Sequence, residues 1–295
     1  MIELYNEFCI YLKNKKKASD NTLASYQHDI KYFIDFIHSK KITSPVEIDS
    51  SIIESFVKKL KKNGKSESTV SRYLSSLRCF FKYLLYKKVI DFNPMIGIRT
   101  ERKKKTALPE ILTSQDINTL LNSPDTSTGK GKRDKAMLEV MYATGIRVSE
   151  LLSIRITDVN LEVGYILVNK STDKERVLPL YPLAIDALND YIQNERVDNN
   201  TDILFLNSTG SEMTRQGFWK IIKQYANSSG IKTTITPKIL RHSFATHLLE
   251  NGADIHVIKD MLGHSAISST MVYTKVLKNK YLSVYENCHP RAKRV

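Results

Sequence analysis

Pro237-Lys238-Ile239-Leu240-Arg241-His242 opens the stretch that decides how this chain is read. Ala245-Thr246-His247-Leu248-Leu249 continues it, Leu262-Gly263-His264 follows, and Tyr273 stands nine residues beyond His264. Within residues 237–274 lie an arginine, a lysine, a histidine set off by glycine, and a tyrosine. A phosphodiester attacked by an oxygen nucleophile gains negative charge on its non-bridging oxygens, and fixed cations lower that barrier. Arginine's planar fork matches that geometry, and a tyrosine hydroxyl can attack and be held as an ester. The set needs no metal.

Upstream, Asp134 to Tyr142 carries helical spacing (Ala136, Met137, Val140, Met141) and is stopped by Thr144-Gly145. Arg147 stands just past that stop, and Val148-Ser149-Glu150-Leu151-Leu152 starts another helix. An arginine at such a turn can point into a cleft, with Glu150 spaced to orient it. Thr113 to Asp116 reads as an earlier helix start, followed by Ile117, Leu120 and Leu121, and residues 123–132 read as a polar loop. Tyr165 to Val168 and Arg176 to Leu180 flank a polar turn as in a β-hairpin, with Lys170 and Lys174 at its tip. A lysine on such a hairpin can protonate a leaving 5′-oxygen as general acid. Pro182 to Glu195 and Thr214 to Ala226 are amphipathic helices, and a further one begins near Ser268-Ser269-Thr270 and carries Tyr273. Ile203 to Leu206 is a short apolar run whose state the pattern leaves open.

The first hundred residues read as four helices on short connections, a small bundle. They cover residues 2–13, a segment capped by Asp20 or Asn21 and carrying Leu23 to Ile37, Ile48 to Leu60, and a helix from about Ser68. On the polar face of the last sit Ser68, Ser71, Arg72, Ser75 and Arg78, hydroxyls and arginines that suit phosphates and guanine edges. Arg99 to Lys105 is a basic linker, with Lys103 and Lys104 placed to meet a DNA backbone. The expected division is residues 1–98 as a DNA-binding helical domain, 99–108 as linker, and 109–295 as the catalytic domain.

Composition agrees with a polyanionic partner. The net charge is +14, and residues 1–105 hold 22 Lys and Arg against 11 Asp and Glu. Hydrophobic residues make up 41% of the 295, enough for two cores and against wholesale disorder. No apolar run is long enough for a membrane span and the N-terminus does not read as a signal peptide, so a cytoplasmic protein is expected. Cys9, Cys79 and Cys288 form no CxxC pair and read as free thiols. His242 and His247 are poorly spaced for a shared metal, and neither HExxH nor a phosphate-cradling glycine loop is present. No cofactor is expected.

Ala143-Thr144-Gly145-Ile146-Arg147-Val148-Ser149-Glu150-Leu151, then Leu240-Arg241-His242-Ser243-Phe244-Ala245-Thr246-His247, then Leu262-Gly263-His264-Ser265 and Tyr273 resemble the tyrosine recombinase (phage-integrase) family. His289-Pro290-Arg291-Ala292 and the length resemble its Xer branch, and the likeness covers essentially the whole chain. The resemblance implies a mainly α fold with a small β-hairpin or three-stranded sheet: an N-terminal SAM-like core-binding bundle and a C-terminal catalytic domain. It implies a site-specific recombinase in which Tyr273 forms a 3′-phosphotyrosyl link and frees a 5′-hydroxyl. Arg147 and Arg241 carry over as the phosphate-binding arginines and His264 as the third-box histidine. Four protomers, identical or paired with a related recombinase, are expected on two double-stranded DNA sites. They would exchange C-terminal segments (residues 278–295 here), with a DNA translocase as activator. Chromosome or plasmid dimer resolution is favoured by the compact architecture. Mobile-element integration, type IB topoisomerase activity and a non-catalytic DNA-binding role are the alternatives.

Two departures from the family pattern stand out. Lys238 occupies the place usually held by histidine, three residues before Arg241. A lysine ammonium has no lone pair to accept a proton. Lys238 is therefore either made neutral by burial beside Arg147 and Arg241 or serves as a cation, the reading favoured here. Counting from Arg147 without gaps places Ser171 at the usual lysine position; a one-residue shift within the turn restores Lys170, whereas Lys174 needs a longer one.

Overall fold

The computed structural model describes residues 1–98, 110–172, 174–196, 201–271 and 273. The chain divides into two compact units, residues 1–104 and 105–295. The expected linker at 99–108, with Lys103 and Lys104, and the expected exchange segment at 278–295 lie outside the described residues.

In the first unit, α1 (Ile2–Asn14), α2 (Asp20–Ser39), α3 (Ser50–Lys62) and α4 (Glu67–Tyr86) surround an aromatic core. Phe8, Phe33, Phe56, Phe80 and Phe81 are fully buried. Phe33 meets Phe56 edge-on at 5.0 Å, the arrangement that aromatic quadrupoles favour. The cap of α2 is Ser19 rather than Asp20 or Asn21: its hydroxyl accepts the Thr22 N–H. Asp20 instead falls in the first turn, where its charge complements the helix dipole. Asp49 and Ser66 cap α3 and α4, which shifts both helix starts by one or two residues from the sequence reading.

The second unit is built around α6 (Gly129–Thr144), which follows α5 (Ser114–Leu121) and is buried on nearly all sides. The start expected at Asp134 is five residues late. The Thr128 hydroxyl caps the helix by accepting the Gly131 N–H at 3.0 Å. A Cβ at Gly131 would lie 1.8 Å from the Asp125 carbonyl, so the glycine that resembled a loop signal is a close-approach residue inside a helix. Next come the four-residue α7 (Val148–Leu151), β1 (Val159–Asn160), β2 (Tyr165–Val168) and β3 (Arg176–Pro179). The strands form one antiparallel sheet in that order, with Ile166 opposite Leu178 and Val168 opposite Arg176.

After the sheet lie α8 (Pro182–Asn194), α9 (Arg215–Ser228), α10 (Pro237–Glu250) and α11 (Ile255–Leu262). Ile203 to Leu206 forms no strand of the sheet; Ile203 makes an isolated bridge to Arg155 and Leu206 one to Glu212. Tyr273 follows a short 3-10 turn (Ile267–Ser269), and its N–H donates to the Thr270 carbonyl. Among the described residues, no helix is long and apolar enough to cross a membrane.

Candidate active site

Two left-handed glycines set the frame. Gly145 ends α6 at φ +57° and Gly263 ends α11 at φ +61°, a conformation that glycine adopts without a Cβ penalty. A Cβ at Gly145 would stand 2.2 Å from Phe244 on α10, so the α6 terminus and α10 can touch only through glycine. Both turns present carbonyls to arginines. Arg241 donates from Nη1 to the Gly145 carbonyl and from Nη2 to the Leu262 carbonyl, each at 2.6 Å. Arg147 donates from Nη2 to the Gly263 carbonyl at 2.9 Å.

Glu150 holds Arg147 as the sequence spacing anticipated: one carboxylate oxygen accepts the Arg147 backbone N–H at 2.8 Å and the other accepts Nη1 at 3.0 Å. Arg176, on β3, reaches the same carboxylate with both terminal nitrogens. Burial opposes the charge on Glu150, but the Arg176 and Arg147 contacts prevail and hold its carboxyl at about 2. Arg176 and Asn169, whose Nδ2 also donates to Glu150 at 3.3 Å, were absent from the sequence-based set. The signal available was a basic residue at the start of an inward-facing strand.

Tyr273 is fully buried. Its hydroxyl lies 2.8 Å from His242 Nδ1, and burial raises its pKa while the charge of Arg241 draws it down. The sequence reading gives His242 no catalytic role, yet it follows Arg241 directly and lies one helical turn after Lys238. Burial, then the charges of Lys238 and Arg241, push His242 down to about 4. His264 is likewise lowered to about 4 by burial and by Arg241 and Arg147. Its Nδ1 lies 2.9 Å from the buried Thr270 hydroxyl. When that hydroxyl donates, the proton of the neutral imidazole sits on Nε2, free to donate elsewhere. Burial, then Arg147, lower Arg241 to about 10.

The site therefore gathers Arg147, Arg241, His264 and Tyr273 through contacts among α6, α10, α11 and the turn after α11. Lys238 is exposed. Lys170 is also exposed, with Nζ 4.0 Å from Asp158, and Lys174 is exposed on the same hairpin tip. His247 is taken up by Tyr142 and the Leu112 carbonyl. Among the described residues, no group of His, Cys, Asp or Glu could hold a metal ion.

In the first unit, Arg72 is ion-paired to the buried Asp29, which also accepts from Ser76. Arg78 donates to the Ile98 carbonyl. Ser68 is exposed and Ser71 half-buried.

The model of the phage integrase family matches residues 110–280, and that of the phage integrase N-terminal SAM-like domain matches residues 5–88. The tyrosine recombinase XerD of Listeria innocua serovar 6a is 43% identical over 99% of this chain and 100% of its own length. XerD of Staphylococcus epidermidis is 40% identical with the same coverage.

The chain belongs to the phage integrase family.

As a site-specific tyrosine recombinase it catalyses DNA cleavage and rejoining. Its fold matches the XerH recombinase bound to a palindromic difH substrate in a post-cleavage complex, with a TM-score of 0.75 and 24% identity, covering 96% of this chain and 84% of that one. The Tn1549 transposon integrase in complex with a circular intermediate DNA gives a TM-score of 0.75 at 18% identity, over 95% of this chain and 99% of that one. The recombinase has the mainly helical fold with a small antiparallel sheet that its sequence led one to expect.

Proposed function

We propose that this recombinase binds a double-stranded DNA site and cuts it through Tyr273, acting in chromosome or plasmid dimer resolution. The observation that carries the reading is the convergence of Arg147, Arg241, His264 and Tyr273 around the Gly145 and Gly263 turns. Beyond their contacts to described residues, Arg147 and Arg241 have further N–H groups that can hold the two non-bridging oxygens of the scissile phosphate. His264 adds a donor from Nε2. As Tyr273 attacks, the 5′-oxygen leaves and takes a proton from a hairpin lysine, Lys170 in preference to Lys174. The phosphotyrosyl ester conserves the bond energy until a 5′-hydroxyl from the partner duplex reverses the step. Lys238 contributes as a cation beside the phosphate.

The likeness to XerD proteins along the whole chain supports dimer resolution over mobile-element integration. It also favours a tetramer on two sites, alone or with a related recombinase, and a translocase as activator. Ser68, Ser71, Arg72, Arg78, Lys103 and Lys104 remain the proposed DNA contacts outside the catalytic unit. The protein is expected to act in the cytoplasm, where chromosomal DNA is found.

The test uses a nicked duplex carrying the genomic site that the Tyr273→Phe protein enriches by binding. Wild type should give a covalent protein–DNA band in EDTA on a denaturing gel, and Tyr273→Phe should give none. A band that survives in Tyr273→Phe would overturn the assignment of the nucleophile.

A further inference from the structure

Resting on the reading of Tyr273 as nucleophile, we propose that His242 takes the proton of the Tyr273 hydroxyl during attack and returns it during religation. The position three residues before Arg241, where the family usually has histidine, holds Lys238 here, whose ammonium has three donors and no acceptor. An imidazole is nevertheless present on the same stretch of α10, one turn later. Its Nδ1 lies 2.8 Å from the Tyr273 hydroxyl, within the range for direct proton transfer. The rings are 5.3 Å apart and inclined at 59°, so the contact runs through the ring edge rather than through stacking.

Three further observations fit the role. His242 follows Arg241, whose guanidinium is locked between the Gly145 and Leu262 carbonyls, so the base and the phosphate-binding cation share one rigid helix. The imidazole is half-buried among positive neighbours and is held neutral, so one ring nitrogen carries a lone pair, and in the Nε2–H tautomer that nitrogen is Nδ1, the one facing Tyr273. The tyrosine is fully buried, so bulk water has no ready access to its proton.

A neutral histidine beside cations is a weak base, but the transfer need not run ahead of attack. The acidity of the tyrosine hydroxyl rises steeply as the Oη–P bond forms. The arriving phosphate also brings negative charge to the face that now depresses His242. In the forward step the Oη–H bond breaks toward Nδ1, Oη–P forms, P–O5′ breaks, and the 5′-oxygen is protonated by the hairpin lysine. While the ester persists His242 is an imidazolium. On religation the incoming 5′-hydroxyl gives its proton to the lysine, and Oη recovers its own from Nδ1. Protons balance over the cycle, and no co-reactant is consumed.

The experiment measures single-turnover attack by the full chain on two nicked duplexes of the enriched genomic site. One carries an ordinary scissile phosphate and the other a 5′-bridging phosphorothiolate, whose sulfur leaves without an acid. His242→Asn places an amide oxygen near the Nδ1 position, keeping an acceptor for the hydroxyl but no basic nitrogen, and His242→Ala leaves space for added imidazole.

The expected result is a fall of about 10²-fold or more in both variants on both duplexes. Added imidazole should restore part of the rate to His242→Ala, with thermal unfolding and DNA binding near wild type. Lys170→Ala should instead recover on the phosphorothiolate. A His242→Asn protein that attacks within about threefold of wild type overturns the proposal. So does an Ala defect that imidazole leaves untouched and Asn repairs, because the contact then only positions Tyr273. Wild type that forms no adduct on either duplex removes the Tyr273 reading itself, an outcome distinct from these two.

Discussion

Arg176 presents both terminal nitrogens to Glu150, at 3.2 and 2.9 Å, and its Nε to the Met261 carbonyl at 3.0 Å. Both side chains are about nine-tenths buried. Through this pair the β-sheet fixes the carboxylate that aims Arg147, and it braces the turn that carries His264. Removing Arg176 takes two hydrogen bonds from the buried carboxylate and leaves the half-exposed Arg147 as its cation, a loss of about 2 kcal/mol. Arg176→Ala should therefore lower stability by that order in denaturant unfolding and slow formation of the covalent adduct. Arg176→Lys should recover only part of either, because an ammonium cannot reproduce the two parallel bonds.

The same carboxylate should leave a signature in acid. Glu150 titrates at about 2 in the folded chain against an ordinary 4.5. Its contribution is therefore fully present above about 4.5 and is lost as pH falls toward 2. His242 and His264, both lowered to about 4, act in a higher window: the unfolded chain binds their protons first, so stability declines as pH falls from about 6.5 to 4. Equilibrium unfolding measured from pH 7 to 2 should show a slope in each window. Glu150→Gln should flatten only the lower one and His264→Asn only the upper.

Gly145→Ala combines a left-handed backbone with a Cβ 2.2 Å from the Phe244 ring. Each of these faults costs about 1–3 kcal/mol. The variant should melt several degrees lower and should also cut DNA more slowly, because the carbonyl that anchors Arg241 must move. Restoring space with Phe244→Leu should recover part of the stability and little of the activity.

Arg241→Lys keeps a positive charge and loses the fork that spans the Gly145 and Leu262 carbonyls. Losing one preorganised donor to a developing oxyanion costs about 10²–10³ in rate. A fall of that size in the single-turnover rate is expected, with DNA binding nearly unchanged in a gel-shift titration.

In the N-terminal unit, Arg72 neutralises the fully buried Asp29. Arg72→Ala should destabilise that unit by about 2 kcal/mol, and Asp29→Ala made in the same chain should restore most of it. The DNA-contact reading of Arg72 predicts in addition a reduction of about one in the salt slope of binding. An unchanged slope in the double variant would leave Arg72 a purely structural residue.

Much of this recombinase is legible in its sequence. The helical spacing of the N-terminal segments, the hairpin at 165–180 and the Gly145 stop are local patterns, and local sterics and burial enforce them. The helix starts were less legible: Ser19, rather than the equally suited Asp20 or Asn21, caps α2, and Gly129 and Gly131 resembled a loop although they open α6. Whether a glycine breaks a helix or lets a neighbour approach depends on what packs against it, here the Asp125 carbonyl.

The proposed catalytic set divides along the same line. The order of Arg147, Arg241, His264 and Tyr273 along the chain is a property of sequence, and the resemblance to the family rests on it. Their mutual geometry is not, because it is carried by backbone carbonyls of two left-handed turns about 120 residues apart, and carbonyls have no letter in the alphabet. For the same reason Arg176 and His242 escaped notice. An arginine on a strand and a histidine beside an arginine have many possible neighbours, and only packing decided that one braces Glu150 and the other touches Tyr273. Sequence determined which groups this protein has for phosphoryl transfer; the tertiary structure decided which of them meet, because hydrogen bonds between distant segments depend on positions that no local pattern encodes.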